Sequence, residues 1–414
     1  MFYLVTRHLS LVTVISDYTL ALTRVKQGPG AERDLQLATA RADVRLRRAP
    51  ASVQHGQFHF PSFLNYMQAL ILAGGKGTRL RPLTVHTPKP IVPICNRSFL
   101  LYQIDTLRHA GITDITLSLS YQPHKIEQLI GDGSAHGVRI RYTVEPQPMG
   151  TAGAYKFAEE LLREPTVVFN GDILTDLDLE SVIREHNARG AAATLVLAPV
   201  ENPSAYGLVE TEPGGRVRRF LEKPKPDEIS VNTINAGTYI LEPRVRDLIP
   251  PGENYSFEYQ LFPDLLRRGE PFYAHIPQNA YWIDIGTTER YLQVHHDLLA
   301  GRVGHVNLDE QRAKFAASAE ASIDDRSLVA GDCMIKTGAH IINSTLGEGC
   351  YVEEGARIEN SVVWAHTRVG AGAQISGAII GRGCHVGREA QVGAGASLGD
   401  KTSLTDYTQT GGAR

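Results

Sequence analysis

Cysteine is scarce in this chain, with only Cys95, Cys333, Cys350 and Cys384 among 414 residues. They lie far apart and form no Cys-x-x-Cys pair, which excludes a zinc knuckle and a disulfide framework and fits a reducing cytoplasm. An excess of either charge is also missing. The 42 basic and 45 acidic residues leave a net charge of -3, so neither nucleic acid nor a membrane surface is expected as a partner. Long apolar runs are lacking too. The best of them, 2–22, is broken by Arg7, His8 and Asp17, too interrupted for a span of about 20 apolar residues, and no signal-peptide cleavage pattern is present. With 42% hydrophobic and 21% charged residues, what remains is a soluble globular chain long enough for two or three cored domains.

Residues 1–66 differ from the rest, with an Arg-rich, Gly/Pro-punctuated run over 27–50. They read as a poorly structured leader on which function does not depend, and Met67, just before the first clear strand, is the expected start of translation. The apolar run at 69–73 reads as a buried strand. It breaks into Gly74, Gly75 and Gly77, followed closely by Lys76, Arg79, Arg81 and Lys89. Such a loop lets an anion approach the backbone while cations gather round it, as a nucleoside triphosphate requires. It is neither a Walker A loop nor a dinucleotide fingerprint, and by itself it reads equally well as a charged strand-turn-helix corner.

Strands are expected at 115–119, 140–144, 167–170, 194–200 and 238–241, and helices at 100–110, 122–130, 152–162, 179–189 and 259–268. Their alternation over 67–301 predicts an α/β domain with a largely parallel sheet and a ligand crevice at the carboxyl ends of its strands. A helix over 287–299 and a linker at 302–322 follow. From residue 323 apolar residues recur in steps of six or five, and Ile341, Ile358, Ile375 and Val392 are each seventeen apart. This period predicts a parallel β-helix of about four three-faced coils over 323–400, with a tail at 401–414. Its exposed strands favour self-association into a homo-oligomer. His340, His366 and His385 read as corner residues of that helix, ahead of a role as bases in acyl transfer.

Two acidic residues stand beside apolar strands and next to glycines: Asp172 in Asn170-Gly-Asp172 and Asp284 in Trp282-Ile-Asp-Ile-Gly286. Each suits Mg²⁺, which takes oxygen ligands and keeps water and phosphate in its shell. Each also reads as a turn or N-cap aspartate. Lys223, before Pro224, is either a surface hairpin lysine or one that the extended pre-proline backbone aims at a phosphate. Asn235, in Asn235-Ala-Gly237, is able to bond a sugar hydroxyl.

Taken together, Leu70-Ile-Leu-Ala-Gly-Gly-Lys-Gly-Thr-Arg-Leu-Arg-Pro-Leu-Thr84, Thr87-Pro-Lys-Pro90, Glu145-Pro-Gln-Pro-Met-Gly-Thr-Ala-Gly153, Asn170-Gly-Asp172, Glu222-Lys-Pro224, Ile234-Asn-Ala-Gly237 and Trp282-Ile-Asp-Ile-Gly286 resemble the sugar-1-phosphate nucleotidyltransferases, the NDP-sugar pyrophosphorylases. The likeness is strongest to the mannose-1-phosphate guanylyltransferase group. It implies a Rossmann-like, mostly parallel nucleotidyltransferase domain followed by a left-handed parallel β-helix of hexapeptide repeats. It further implies nucleotide binding by Leu72, Ala73, Gly74, Gly75, Gly77, Thr78, Gly150 and Thr151, and charge neutralisation by Arg79 and Lys89. Asp172 and Asp284 would carry Mg²⁺, Lys223 would meet the sugar phosphate, and Gly207, Glu222 and Asn235 would surround the sugar. Glu145 stands where thymidylyl relatives carry glutamine. A carboxylate accepts from the N1–H and N2 amino group of guanine and repels the carbonyls of thymine, so the resemblance points to GTP and mannose 1-phosphate. A glucose-1-phosphate uridylyl- or thymidylyltransferase, a heptose-1-phosphate guanylyltransferase and a non-catalytic regulatory subunit are the alternatives.

Overall fold

The computed structural model describes residues 67–311 and 315–411; the leader expected over 1–66 lies outside them. The first strand, β1 (Gln68–Leu72), is flanked by β2 (Asp114–Leu119) on one side and β4 (Thr166–Asn170) on the other, both parallel to it, and β3 (Arg139–Val144) extends this parallel half beyond β2. A strand between two neighbours buries both faces, and its residues divide accordingly. Ala69 and Ile71 enter one apolar cluster while Leu70 enters the other, each large side chain contributing about 1.5–3 kcal/mol by its burial. The first cluster lies under α1 (Phe99–His109), α2 (Pro123–Ile130) and α4 (Leu179–Arg189). The second lies under α3 (Gly150–Phe157) and α5 (Phe262–Arg268). Residues at helical spacing carry this packing: Leu179, Val182, Ile183 and His186 are the buried positions of α4, whose start is capped by Asp178 accepting from Ser181 N at 3.1 Å.

The other half of the nine-stranded sheet is assembled differently. β9 (Thr233–Leu241) runs antiparallel to β4, and also to β6 (Ala193–Pro199) and β7 (Gly207–Thr211); β8 (Val217–Glu222) pairs with β7, and β10 (Phe272–His275) lies parallel to β6. Thus β9 is longer than the expected 238–241, and its register with β6 shifts between Asn235 and Tyr239. A separate two-stranded ribbon, β5 (Ile173–Thr175) with antiparallel β11 (Trp282–Asp284), crosses the carboxyl end of β4.

Two expected helices differ in extent. That at 152–162 stops at Phe157 because the chain is tied to the foot of β1: the Gln68 amide donates to Leu161 O and accepts from Arg163 N and Glu164 N at 2.7–3.1 Å. That at 259–268 begins earlier, as a π turn over Phe257–Leu261 whose first amides, Glu258 N and Tyr259 N, donate to Ser256 Oγ. After α6 (Thr288–Leu299) the chain enters the β-helix. Its parallel strands start at Ala316–Ala317 and continue to Gln409–Thr410, so the coils extend beyond the expected 323–400 at both ends and outnumber the expected four. Ile341, Ile358, Ile375 and Val392 stack in register along one face with their side chains buried inside. His340 and His385 point outward from strands and His366 occupies a corner with φ 59°. Leu328, Val362, Trp364 and Ile379 join one buried cluster with Leu80, Leu83, Ile285 and Tyr291 of the α/β domain. Among the described residues no helix is long and apolar enough to cross a membrane.

Candidate active site

A cleft of about 500 Å³ opens at the carboxyl ends of β1 and β4. Its rim is the glycine loop, where Leu72, Ala73, Gly74 and Gly75 present backbone to the cavity together with Lys76. Gly74 leaves little room for a side chain, since a Cβ there would stand 3.2 Å from Ser120 Cβ. Gly77 turns away with φ 60°, packs on the stem of Lys89, and is braced by Thr84 Oγ1 donating to its carbonyl at 2.7 Å. Thr78 and Arg79 continue into a short 3-10 turn and do not line the cleft.

Glu145, Gly150 and Thr151 also line the cleft, and the Glu145 carboxylate lies against Gly74, where an added Cβ would stand 3.4 Å from Oε1. Glu145 is held firmly: Oε1 accepts from Ser118 Oγ and Oε2 from Met149 N, each at 3.0 Å. Neither nearby cation takes it, because Arg141 pairs with Asp114 at 2.6 Å and Lys89 with Asp172 at 2.8 Å. The Lys89–Asp172 pair forms the floor. Asp172 follows Gly171, whose N–H continues the pairing of β4 with β1 by bonding Leu72 O at 3.0 Å.

Asp284 lies next door on the ribbon, opposite Ile173, and Ile285 N donates to Asp172 O at 2.9 Å. Its Oδ1 accepts from Gly286 N at 2.9 Å; its Oδ2 accepts from Tyr206 OH at 2.6 Å and from Arg290. Arg79 lies over Gly286, where an added Cβ would sit 2.9 Å from its guanidinium. Arg79 therefore borders Asp284 rather than the glycine loop cavity.

The expected sugar residues gather in a second group beyond Thr151. Glu222 lies opposite Gly207 in the β7–β8 pair, and a side chain at Gly207 would come within 2.9 Å of its carboxylate. Burial, then the neighbouring Glu258, pushes the Glu222 carboxyl up to about 7, against the pull of Lys223. Asn235 Nδ2 donates to Tyr239 OH at 2.9 Å, and Glu258 accepts from Thr151 Oγ1 at 2.9 Å and from Ser256 Oγ at 2.6 Å. Lys223 departs from the expected geometry. Its φ is 50°, not the extended pre-proline form, and its N–H is fixed on Tyr206 O at 3.0 Å. A non-glycine residue in this region is strained, and the turn lifts the ammonium into solvent.

This pairing of a glycine-rim cleft with a polar carboxylate pocket agrees with the family comparisons. A model described as Nucleotidyl transferase matches residues 68–301, more than half of the chain, and one described as EIF2B subunit epsilon LbH domain matches 309–409. The chain is 37% identical to a mannose-1-phosphate guanylyltransferase of Mycobacterium tuberculosis over 66% of its own length and 76% of that protein. The chain belongs to the sugar-1-phosphate nucleotidyltransferase family. A UTP–glucose-1-phosphate uridylyltransferase of Synechocystis is 37% identical over 58% of this chain, and mannose-1-phosphate guanyltransferase beta-B of Xenopus laevis is 40% identical over 55%. The match spans 66% and 63% of those two proteins.

In this nucleotidyltransferase the donor set suits a hard divalent cation. Among the described residues no group of three or more His, Cys, Asp or Glu is placed to hold a metal ion, but Asp172 at the cleft and Asp284 stand on adjoining backbone, and each is met by a cation, Lys89 and Arg290. Two protein carboxylates with phosphate and water completing the shell is the Mg²⁺ pattern. Sequence reasoning missed Tyr206, Glu258 and Arg290. The only local signals were a tyrosine abutting Gly207, an acid two residues after Ser256, and a cation shortly after the Trp282–Gly286 motif.

Proposed function

We propose that this enzyme transfers a guanylyl group from GTP to mannose 1-phosphate, giving GDP-mannose and pyrophosphate. The observation that carries the reading is Glu145, a cleft-lining carboxylate fixed by Ser118 and Met149 N beside Gly74 of the glycine loop. Each of its oxygens keeps acceptor capacity for the adjacent N1–H and N2 donors of guanine. A sugar phosphate oxygen attacks the α-phosphorus in line, the α–β bond breaks, and pyrophosphate leaves. The nucleophile, with a second pKa of about 6, is largely dianionic at neutral pH and needs no general base. Catalysis therefore rests on alignment and charge: the loop backbone and Lys89 toward the triphosphate, Gly207, Glu222 and Asn235 around the sugar, with Arg79 from beside Asp284 and the solvent-exposed Lys223 turning in to the bound phosphates. Mg²⁺, held by Asp172 and Asp284, would supply Lewis-acid charge neutralisation. The intact Arg79, Lys89, Asp172, Lys223 and Asp284 argue against a regulatory subunit. Buried free thiols suit a reducing cytoplasm, and outward-facing β-helix strands support homo-oligomer formation.

A uridylyltransferase acting on glucose 1-phosphate is the second reading, favoured by the Synechocystis relative. A pyrophosphate-release screen of GTP, UTP, dTTP and ATP against mannose, glucose and heptose 1-phosphates separates them. GTP with mannose 1-phosphate is expected to give the highest kcat/KM, and Asp172→Ala to lower turnover by roughly 10²- to 10³-fold. Faster turnover of UTP or dTTP would overturn the guanine reading.

A further inference from the structure

Arg290 belongs to none of the motifs above, yet it holds the most buried carboxylate of the site. It stands in the first turn of α6, where its N–H meets the capping Thr287 Oγ1 at 3.4 Å. Its guanidinium bonds Asp284 Oδ2 and Tyr206 OH and lies 5.4 Å from the centre of the Tyr206 ring. The Asp284 side chain is 9% exposed, whereas that of Arg290 is 40% exposed, so the arginine reaches in from the solvent side. Oδ2 already accepts from Tyr206 at 2.6 Å, and Oδ1 from Gly286 N at 2.9 Å. With Arg290 added, both lone-pair sites of Oδ2 are filled. A cation bound there must compete with the guanidinium for the same oxygen.

The residue beneath Arg290 indicates where the freed guanidinium would go. Tyr206 precedes Gly207, its carbonyl accepts from Lys223 N at 3.0 Å, and its ring is steadied edge-on by Trp282 at 5.6 Å. Tyr206 thereby joins Arg290 to Gly207 and Lys223, the residues that the reaction proposed above assigns to the sugar phosphate. An arginine fork matches phosphate oxygens bidentately.

We infer that Arg290 is an exchangeable binding residue: it neutralises Asp284 in the substrate-free site and passes to the phosphate of the sugar 1-phosphate when a divalent cation takes the carboxylate. This rests on the reaction proposed above. It makes Arg290 oppose the metal and support the substrate, a combination that a merely structural residue does not produce. By linkage, removing Arg290 strengthens metal binding alone and weakens substrate binding.

The test uses the full chain with Arg290→Gln and Arg290→Lys. Mn²⁺ binding to the substrate-free protein is read by electron paramagnetic resonance, and mannose 1-phosphate binding at saturating Mn²⁺ by calorimetry. Arg290→Gln is expected to bind Mn²⁺ roughly tenfold more tightly and mannose 1-phosphate roughly tenfold more weakly, with Arg290→Lys between it and the wild type. Unchanged or weakened Mn²⁺ binding in Arg290→Gln overturns the inference, as does unchanged sugar-phosphate affinity. If Arg290→Gln loses both ligands together, Arg290 only shapes the site and the inference is wrong. Failure of the proposed reaction is seen separately, as absence of pyrophosphate release by the wild type.

Discussion

Two carboxylates close together cannot both ionise freely, and the group of residues beyond Thr151 places Glu222 beside Glu258. Glu258 has three hydroxyl neighbours, Thr151, Ser256 and Tyr239, while burial raises the Glu222 carboxyl to about 7. The folded protein therefore binds more protons than the unfolded chain between the ordinary carboxylate pKa and about 7, and stability falls as pH rises through that window. Thermal melts across this range should show the wild type losing Tm relative to Glu222→Gln, with the difference levelling above pH 7. Beside the glycine loop, Glu145→Gln replaces one acceptor by a donor. The ratio of kcat/KM for GTP over dTTP should then fall by roughly tenfold or more, measured by pyrophosphate release. Glu145 was legible because it stands in a contiguous motif beside Gly150 and Thr151. Glu258 was not: beside the nearby Ser256, its partners Thr151 and Tyr239 come from α3 and β9, and no motif in the sequence links them to it.

Among the elements, the close approach of the β4–β5 turn to the end of β1 decides whether the floor exists. A Cβ at Gly171 would stand 2.3 Å from Leu72 O, a backbone atom of the glycine loop's own strand. That strand is fixed on both sides by parallel neighbours, so Asp172 must be the part that yields. Gly171→Ala is expected to lower kcat/KM by roughly 10²-fold through displaced geometry, with an accompanying loss of Tm; steady-state kinetics and a thermal melt check both. The parallel half of the sheet was readable from short apolar runs. The antiparallel course of β9 was not, because strand direction depends on pairing across the sheet rather than on local pattern.

At the scale of the whole molecule, the β-helix is a floor for the catalytic loop as well as a candidate assembly surface. Leu80 and Leu83, from the signature that starts at Gly74, share a buried cluster with Leu328, Val362, Trp364 and Ile379. Trp364 Nε1 donates to Tyr291 OH at 3.1 Å, and Tyr291 OH donates to Pro93 O. A Cβ at Gly399 in a later coil would come 3.0 Å from Pro82 Cβ. Trp364→Ala should therefore cost about 3–5 kcal/mol in denaturant unfolding. Hydrogen exchange should also quicken at the amides of residues 80–85, which a defect confined to the β-helix would leave unchanged.

The sequence by itself determined the family, and the glycine rim, Lys89, Glu145 and Asp172 that its motifs singled out line one cleft. It also determined the stacked coils, because a repeat with a fixed period has few other ways to bury its apolar residues. Only the tertiary structure decided that Arg79 borders Asp284, that Lys223 adopts φ 50°, and that Tyr206, Glu258 and Arg290 belong to the site. Those arrangements arise where separate elements pack, and no local periodicity or motif encodes which side chains meet there.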